Sequence, residues 1–233
     1  MIRVDKLTKR FKKKVAVKEL SFEVEEGTVF ALIGSNGAGK STTIKCMLGI
    51  AGKYDGTIEM AKNARIGYSP ETPFFPPYLN GKEILHYYGD LQGLHRKRLE
   101  EEITRLLTLV GLHENQTAVR HYSKGMLQRL ALAQSLLGDP DVLILDEPCA
   151  GLDAAGRIEM LELIRSLKSC GKTILMNSHI LSDIEKVCDE GIIMRDGSMQ
   201  RAFSKSDLDE ATTLEALFIE TIRKGASEGS CGQ

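Results

Sequence analysis

The chain has 233 residues, 42% hydrophobic and 27% charged, with a formal net charge of -1. These proportions belong to a folded globular protein, and the near-neutral balance gives no electrostatic case for a nucleic-acid binder, which would carry a basic excess. Five cysteines without any C-x-x-C spacing argue against a disulfide framework or a zinc site and for a reducing compartment, and no apolar run reaches the roughly 20 residues that cross a bilayer.

The opening residues, MIRVDKLTKRF, lack the apolar core of a secretory leader. Lys9, Arg10, Lys12, Lys13 and Lys14 form a local basic run, either a solvated hairpin tip or part of a field that attracts polyphosphate. Ser21 to Glu25 alternates with period two and reads as a strand closed by Glu26-Gly27. Thr28 to Ile33 is a short apolar run expected as a buried strand. A glycine-rich loop and a helix over Lys40 to Leu48 follow. Gly56 to Ile58 and Arg65 to Tyr68 predict two more short strands.

Four of the six prolines (Pro70, Pro73, Pro76, Pro77) then mark a stiff irregular connector. From Gly81 to about Leu137 the pattern is helical. Ile103, Leu106, Leu107 and Val110 share one face, and Gly111 is placed to end that helix. Asp141 to Leu145 returns to a buried strand, Ile158 to Leu167 to an amphipathic helix with Gly171 beyond it, and Thr173 to Met176 to another strand. Leu214, Leu217 and Phe218 predict a docking helix, and Gly225 to Gln233 a frayed end. Strand, long helical insertion, then strand and helix again predict an α/β nucleotide-binding core.

Gly34-Ser35-Asn36-Gly37-Ala38-Gly39-Lys40-Ser41 matches G-x-x-x-x-G-K-[ST]. Glycines let successive backbone N–H groups face one anion, and the helix that begins near Lys40 adds its positive end. Lys40 supplies a full charge to the β/γ-phosphates. The Ser41 hydroxyl can ligate Mg²⁺, and Thr42 completes the expected binding segment. The run Asp141 to Glu147 is an apolar strand ending in two acids. Asp146 is suited to holding Mg²⁺, and Glu147 to orienting or deprotonating a water.

These elements belong to a longer series that resembles the ATP-binding cassette (ABC) family over nearly the whole chain. Tyr122-Ser123-Lys124-Gly125-Met126-Leu127-Gln128-Arg129 looks like the family's LSGGQ signature; Ser123 and Gly125 match it, and Lys124 and Met126 are departures. Ser123 also reads independently as a helix N-cap. Ala150-Gly151-Leu152-Asp153 resembles the D-loop, and Asn177-Ser178-His179 the switch histidine. Phe11 stands where the family stacks an aromatic on adenine, or is an ordinary buried aromatic. Glu71, in Tyr68-Ser69-Pro70-Glu71, stands where the family has glutamine and is expected to ligate Mg²⁺.

The resemblance implies an α/β P-loop NTPase (RecA-like) core with an antiparallel β subdomain and an inserted helical subdomain. It sets a single ATPase domain over 1–225, with core and β subdomain in 1–71 and 138–204 and the helical subdomain in 72–137. Residues 205–233 would be the docking helix and tail. It further implies ATP and Mg²⁺ as ligands, and a head-to-tail dimer with a second copy or a homologous ATPase subunit. Ser123 and Gly125 would then serve the nucleotide of the opposite subunit, and Asp153 of the D-loop is counted among the nucleotide-binding residues. A separate transmembrane permease, an exporter, would hold the chain on the cytoplasmic face of the membrane. Phe74, Phe75 and Tyr78 would lie by the groove for that permease, or in the core of the helical subdomain. The alternatives are a soluble cassette ATPase acting on ribosomes or DNA, and a non-catalytic regulator. The single cassette without sustained heptads disfavours the first, and intact Lys40, Asp146, Glu147 and His179 disfavour the second.

Overall fold

A computed structural model describes residues 1–12, 14–113, 116–209 and 212–228. In chain order the elements are β1 (Ile2–Phe11), β2 (Lys14–Val24), β3 (Val29–Gly34), α1 (Lys40–Met47), β4 (Asp55–Met60) and β5 (Ile66–Ser69). Then come α2 (Gly81–Leu91), α3 (Arg96–Leu109), α4 (Lys124–Ser135), β6 (Val142–Asp146) and α5 (Ala154–Ser169). The chain continues through β7 (Thr173–Asn177), α6 (Leu181–Val187), β8 (Glu190–Arg195), β9 (Ser198–Ser204) and α7 (Leu214–Glu228). Two compact units divide them, Met1–Lys62 with Thr173–Gln233, and Asn63–Lys172.

In the first unit, β1 lies antiparallel between β2 and β4, with Ile2 opposite both Val24 and Met60. Ile2, Val4, Leu7, Leu20 and Val24 bury their side chains while charged neighbours face water, the half-buried pattern of an antiparallel sheet. The strand β3 is buried along its whole length, because it has β7 and β8 as parallel neighbours. The ring of Phe22 stacks on Phe30 with centroids 5.2 Å apart. The strand β9 returns antiparallel to β8 through a tight turn at Asp196-Gly197. Leu214 and Leu217 of α7 are buried, so the tail helix is docked; it runs to Glu228, and the rest of the expected frayed end lies outside the described residues.

In the basic run Arg10, Lys12 and Lys14 are exposed, as a solvated hairpin tip requires, but Lys9 is not. Lys9 is only 5% exposed, and its ammonium donates to two backbone carbonyls. Lys13 lies outside the described residues.

In the second unit β5 and β6 pair in parallel, with Tyr68 opposite Ile144 and Ser69 opposite Leu145. A reciprocal cap starts α2: the Asn80 side chain accepts from the Glu83 N–H at 3.0 Å, and the Glu83 carboxylate accepts from the Asn80 N–H at 2.8 Å. Leu99, Ile103, Leu106, Leu107 and Val110 are buried on one face of α3 and its C-terminus, as the spacing requires. The helix α5 begins four residues before the expected Ile158, because Asp153 caps it, and Ile158 itself is exposed. The aromatic segment divides residue by residue. Phe75 is buried and meets Tyr88 edge-on, whereas Phe74 is 86% and Tyr78 76% exposed.

Candidate functional site

The loop from Gly34 to Lys40 leaves the buried end of β3 and enters α1. Gly34 is compelled to be glycine, since a Cβ there would lie 2.5 Å from the Met194 carbonyl oxygen. Gly39 has φ 105°, and its Cβ would lie 2.6 Å from the Ala16 carbonyl oxygen. Ala38 is buried and its N–H donates to the Ser35 carbonyl at 3.1 Å, while Ser35, Asn36 and Gly37 are exposed at the tip. Lys40 is 6% exposed; its ammonium donates to the Gly34 carbonyl at 2.6 Å and the Ser35 carbonyl at 3.3 Å. Ser41 and Thr42 are half-buried in the first turn of α1, and the buried Thr43 hydroxyl ties that turn to the Gly39 carbonyl at 3.0 Å. A tight glycine turn, one buried ammonium and a helix start are features of a loop that can receive a polyanion.

His179 belongs to the same unit. Asn177 pairs with Leu32, so the chain that carries Ser178 and His179 leaves the sheet at the edge from which the Gly34 loop departs. Ser178 is buried and its hydroxyl accepts from the Ile180 N–H at 3.1 Å, while His179 is exposed. Phe11 ends β1 with 48% of its surface exposed and the Lys9 ammonium 4.8 Å from its ring centroid.

In the second unit Asp146 ends β6 and is 5% exposed, and Glu147 follows at 8%. Glu147 has φ 52°, a left-handed conformation that costs a non-glycine residue about 1–2 kcal/mol. Sequence reasoning assigned no role to Tyr68 or Gln128, yet both touch this region. The Tyr68 hydroxyl is hydrogen-bonded to the Asp146 carboxylate. Burial first, then the Asp146 charge, pushes the phenol up to about 12. Gln128 is 1% exposed and donates from Nε2 to the Glu71 carbonyl at 2.7 Å, while its Oε1 is buried without a partner among the described residues. The Glu71 residue itself is exposed. Neither contact was legible from spacing, because Tyr68 needs the β5–β6 register and Gln128 a partner 57 residues away.

Ser123 caps α4, its hydroxyl accepting from the Met126 N–H at 3.2 Å. Asp153 caps α5 by accepting from the Gly156 N–H at 2.8 Å. Ser123, Lys124, Gly125, Gly151 and Asp153 line one cavity of about 360 Å³, so the segments that resemble the signature and the D-loop share a surface. Among the described residues no group of three or more His, Cys, Asp or Glu could enclose a metal ion, and no helix is long and apolar enough to cross a membrane.

A family model described as ABC transporter matches residues 17–150. An uncharacterized ABC transporter ATP-binding protein of Bacillus subtilis, YxlF, is 40% identical over 205 residues, which are 85% of this chain and 69% of that protein. An uncharacterized ABC transporter ATP-binding protein of Synechocystis, sll0415, is 38% identical over 232 residues, 94% of this chain and 64% of that protein. The Nod factor export ATP-binding protein I of Ralstonia nicotianae is 36% identical over 208 residues, 84% of this chain and 65% of that protein. The chain thus spans about two thirds of the length of these relatives. The solved structure of the ATP-binding subunit of an ABC transporter superposes with a TM-score of 0.84 at 29% identity, over 95% of this chain and 99% of that one.

Proposed function

The chain belongs to the ABC transporter family as an ATP-binding subunit, and we propose that it hydrolyses Mg-ATP to drive a separate membrane-spanning subunit, in the direction of export. The observation that carries this reading is the loop at Gly34 to Lys40, where a buried ammonium rests on the loop's own carbonyls at 2.6 and 3.3 Å. A triphosphate offers that ammonium a far better acceptor than either carbonyl.

The residues divide the labour by their chemistry. Phe11 stacks on the adenine ring. The backbone from Gly34 to Thr42 and the Lys40 ammonium hold the phosphates. Ser41 and Asp146 would hold Mg²⁺, with Glu71 as a further oxygen ligand. A hydroxyl and carboxylates are the hard oxygen donors that Mg²⁺ takes, and Asp146 presents its carboxylate at the end of β6. When bound, Mg²⁺ neutralises charge that builds on the transferred phosphoryl group. Glu147 accepts the proton of the attacking water, and His179 contacts the γ-phosphate from the end of β7. Ser123, Gly125 and Asp153 act on the nucleotide of a second subunit in a head-to-tail dimer, which is supported by their common cavity. Export is supported by the likeness to a Nod factor export subunit.

The test is to purify the chain with its membrane partner in vesicles and measure ATP-dependent movement of candidate solutes. Phosphate release from Mg-ATP that is stimulated by the partner is the expected result. Absence of Mg-dependent phosphate release, or copurification with ribosomes in place of a membrane protein, would overturn the reading.

A further inference from the structure

Lys9 is a cation placed where a surface charge would be wasted. It is 5% exposed, two residues from the end of a strand whose other lysine, Lys6, is exposed. Its ammonium has three N–H donors. One is met by the Ala51 carbonyl at 2.5 Å and another by the Lys53 carbonyl at 2.7 Å. The remaining interaction is with an aromatic face, the Phe11 ring, whose centroid is 4.8 Å away. That distance is within reach of a cation–π attraction, which is stronger where the cation is shielded from water. Phe11 keeps 48% of its surface exposed, so the contact with Lys9 leaves much of the ring available.

One of the two residues that clamp Lys9, Ala51, is itself tied to the helix that follows the phosphate loop. The N–H groups of Ile50 and Ala51 both donate to the Lys45 carbonyl, at 3.0 and 3.1 Å. Lys45 belongs to α1, the helix whose first residue is Lys40. A continuous set of hydrogen bonds therefore runs from the phosphate-binding helix through Ala51 to Lys9, and from Lys9 to the underside of Phe11.

We propose that Lys9 is a positioning residue for purine binding: its carbonyl-clamped ammonium fixes the Phe11 ring at a set place relative to the phosphate-binding helix, so that base and phosphates of one nucleotide are gripped together. The inference rests on the reading of Phe11 as the base-stacking residue. A free phenyl ring at a strand end would lose rotamer freedom when a base stacks on it, and the clamp removes that loss beforehand. The ammonium does not reach for phosphate, since its donors are committed to the carbonyls and the ring.

The experiment compares two probes, ATP and inorganic tripolyphosphate, by calorimetric titration of wild type and variants. Lys9→Met removes the charge and all three donors while roughly keeping the length of the side chain. ATP affinity is expected to fall about three- to tenfold, the scale of a partly shielded cation–π contact. Tripolyphosphate affinity stays at the wild-type value, because no base is stacked. Lys9→Arg restores most of the ATP affinity. In a Phe11→Ala background, Lys9→Met causes no further loss of ATP affinity.

An equal loss for both probes would make Lys9 a general structural support and overturn the proposal, as would unchanged ATP binding in Lys9→Met while Phe11→Ala weakens it. If Phe11→Ala itself leaves ATP affinity unaltered, the stacking reading falls first, and the proposal with it. Should Lys9→Met fail to fold because two carbonyls are orphaned, Lys9→Gln, which keeps an amide donor without the charge, is measured against the same two probes and judged by the same outcomes.

Discussion

The Lys40 ammonium lies 2.6 Å from the carbonyl oxygen of Gly34, the residue that opens the loop Lys40 closes. The loop is thereby cinched by the side chain that is proposed to meet the nucleotide. Ligand phosphate replaces a carbonyl with a charged acceptor, and charge-assisted bonds are roughly twice as strong as neutral ones.

Lys40→Ala should therefore lower ATP affinity about a hundredfold, from the loss of a charged bond worth roughly 2–3 kcal/mol. Titration of the purified variant with Mg-ATP measures this directly. An affinity equal to that of wild type would remove the loop from the binding site.

Gly39→Ala should destabilise the fold itself. The new Cβ would sit 2.6 Å from the Ala16 carbonyl oxygen on a backbone with φ 105°. Strain and overpacking together are expected to cost about 2–4 kcal/mol. Urea denaturation followed by circular dichroism reports the shift in midpoint.

Glu147→Gln should keep ATP binding and slow hydrolysis by about 10²–10⁴-fold, the usual worth of a positioned base. Hydrolysis at the wild-type rate would exclude Glu147 from the chemistry. Its backbone makes a second, independent prediction. At φ 52° the variant Glu147→Gly should be more stable than Glu147→Ala by about 1 kcal/mol, since only glycine adopts that conformation without strain.

Gln128→Glu should be poorly tolerated at neutral pH. The side chain is 1% exposed and its Nε2 faces the Glu71 carbonyl. A carboxylate there would be buried against an acceptor, at a cost of several kcal/mol. Gln128→Leu, which also removes the unpartnered Oε1, should do less damage. Thermal melts of the two variants at pH 7 distinguish them by their order.

Burial first, then the Asp189 charge, pushes the Cys188 thiol up to about 12. The sign follows from which state holds the proton. Above about 9 the unfolded thiol ionises, whereas the folded one keeps its proton until about 12. The stabilisation is complete below the unfolded value and drains away as pH rises between them. Cys188→Ala should show a shallower loss of stability than wild type over that range in chemical denaturation at stepped pH.

The strand–loop–helix around Lys40 is legible in the sequence because its determinants are local. Glycines, a lysine and a hydroxyl at fixed spacing need no distant partner to declare themselves. The same holds for Asp146 and Glu147 after their apolar strand, and for the face of α3. The β8–β9 hairpin carries a local signal too, Asp196-Gly197 between two strand-like runs, although hydrophobic periodicity alone does not single it out. The rest depends on residues far apart in the chain. Lys9 looks like part of a charged turn until Ala51 and Lys53 are brought against it, and Tyr68 acquires its partner only through the register of β5 on β6. Phe75 and Phe74 are adjacent and alike in sequence, and only packing makes one buried and the other 86% exposed.

Ser123 accepts at its cap; it does not donate there. The hydroxyl has one proton and two lone pairs, and the Met126 N–H occupies a lone pair. An incoming oxyanion would draw on the proton instead. A phosphate bound here, as proposed, would therefore leave the cap of α4 intact, and its arrival and departure would not require that helix to refold.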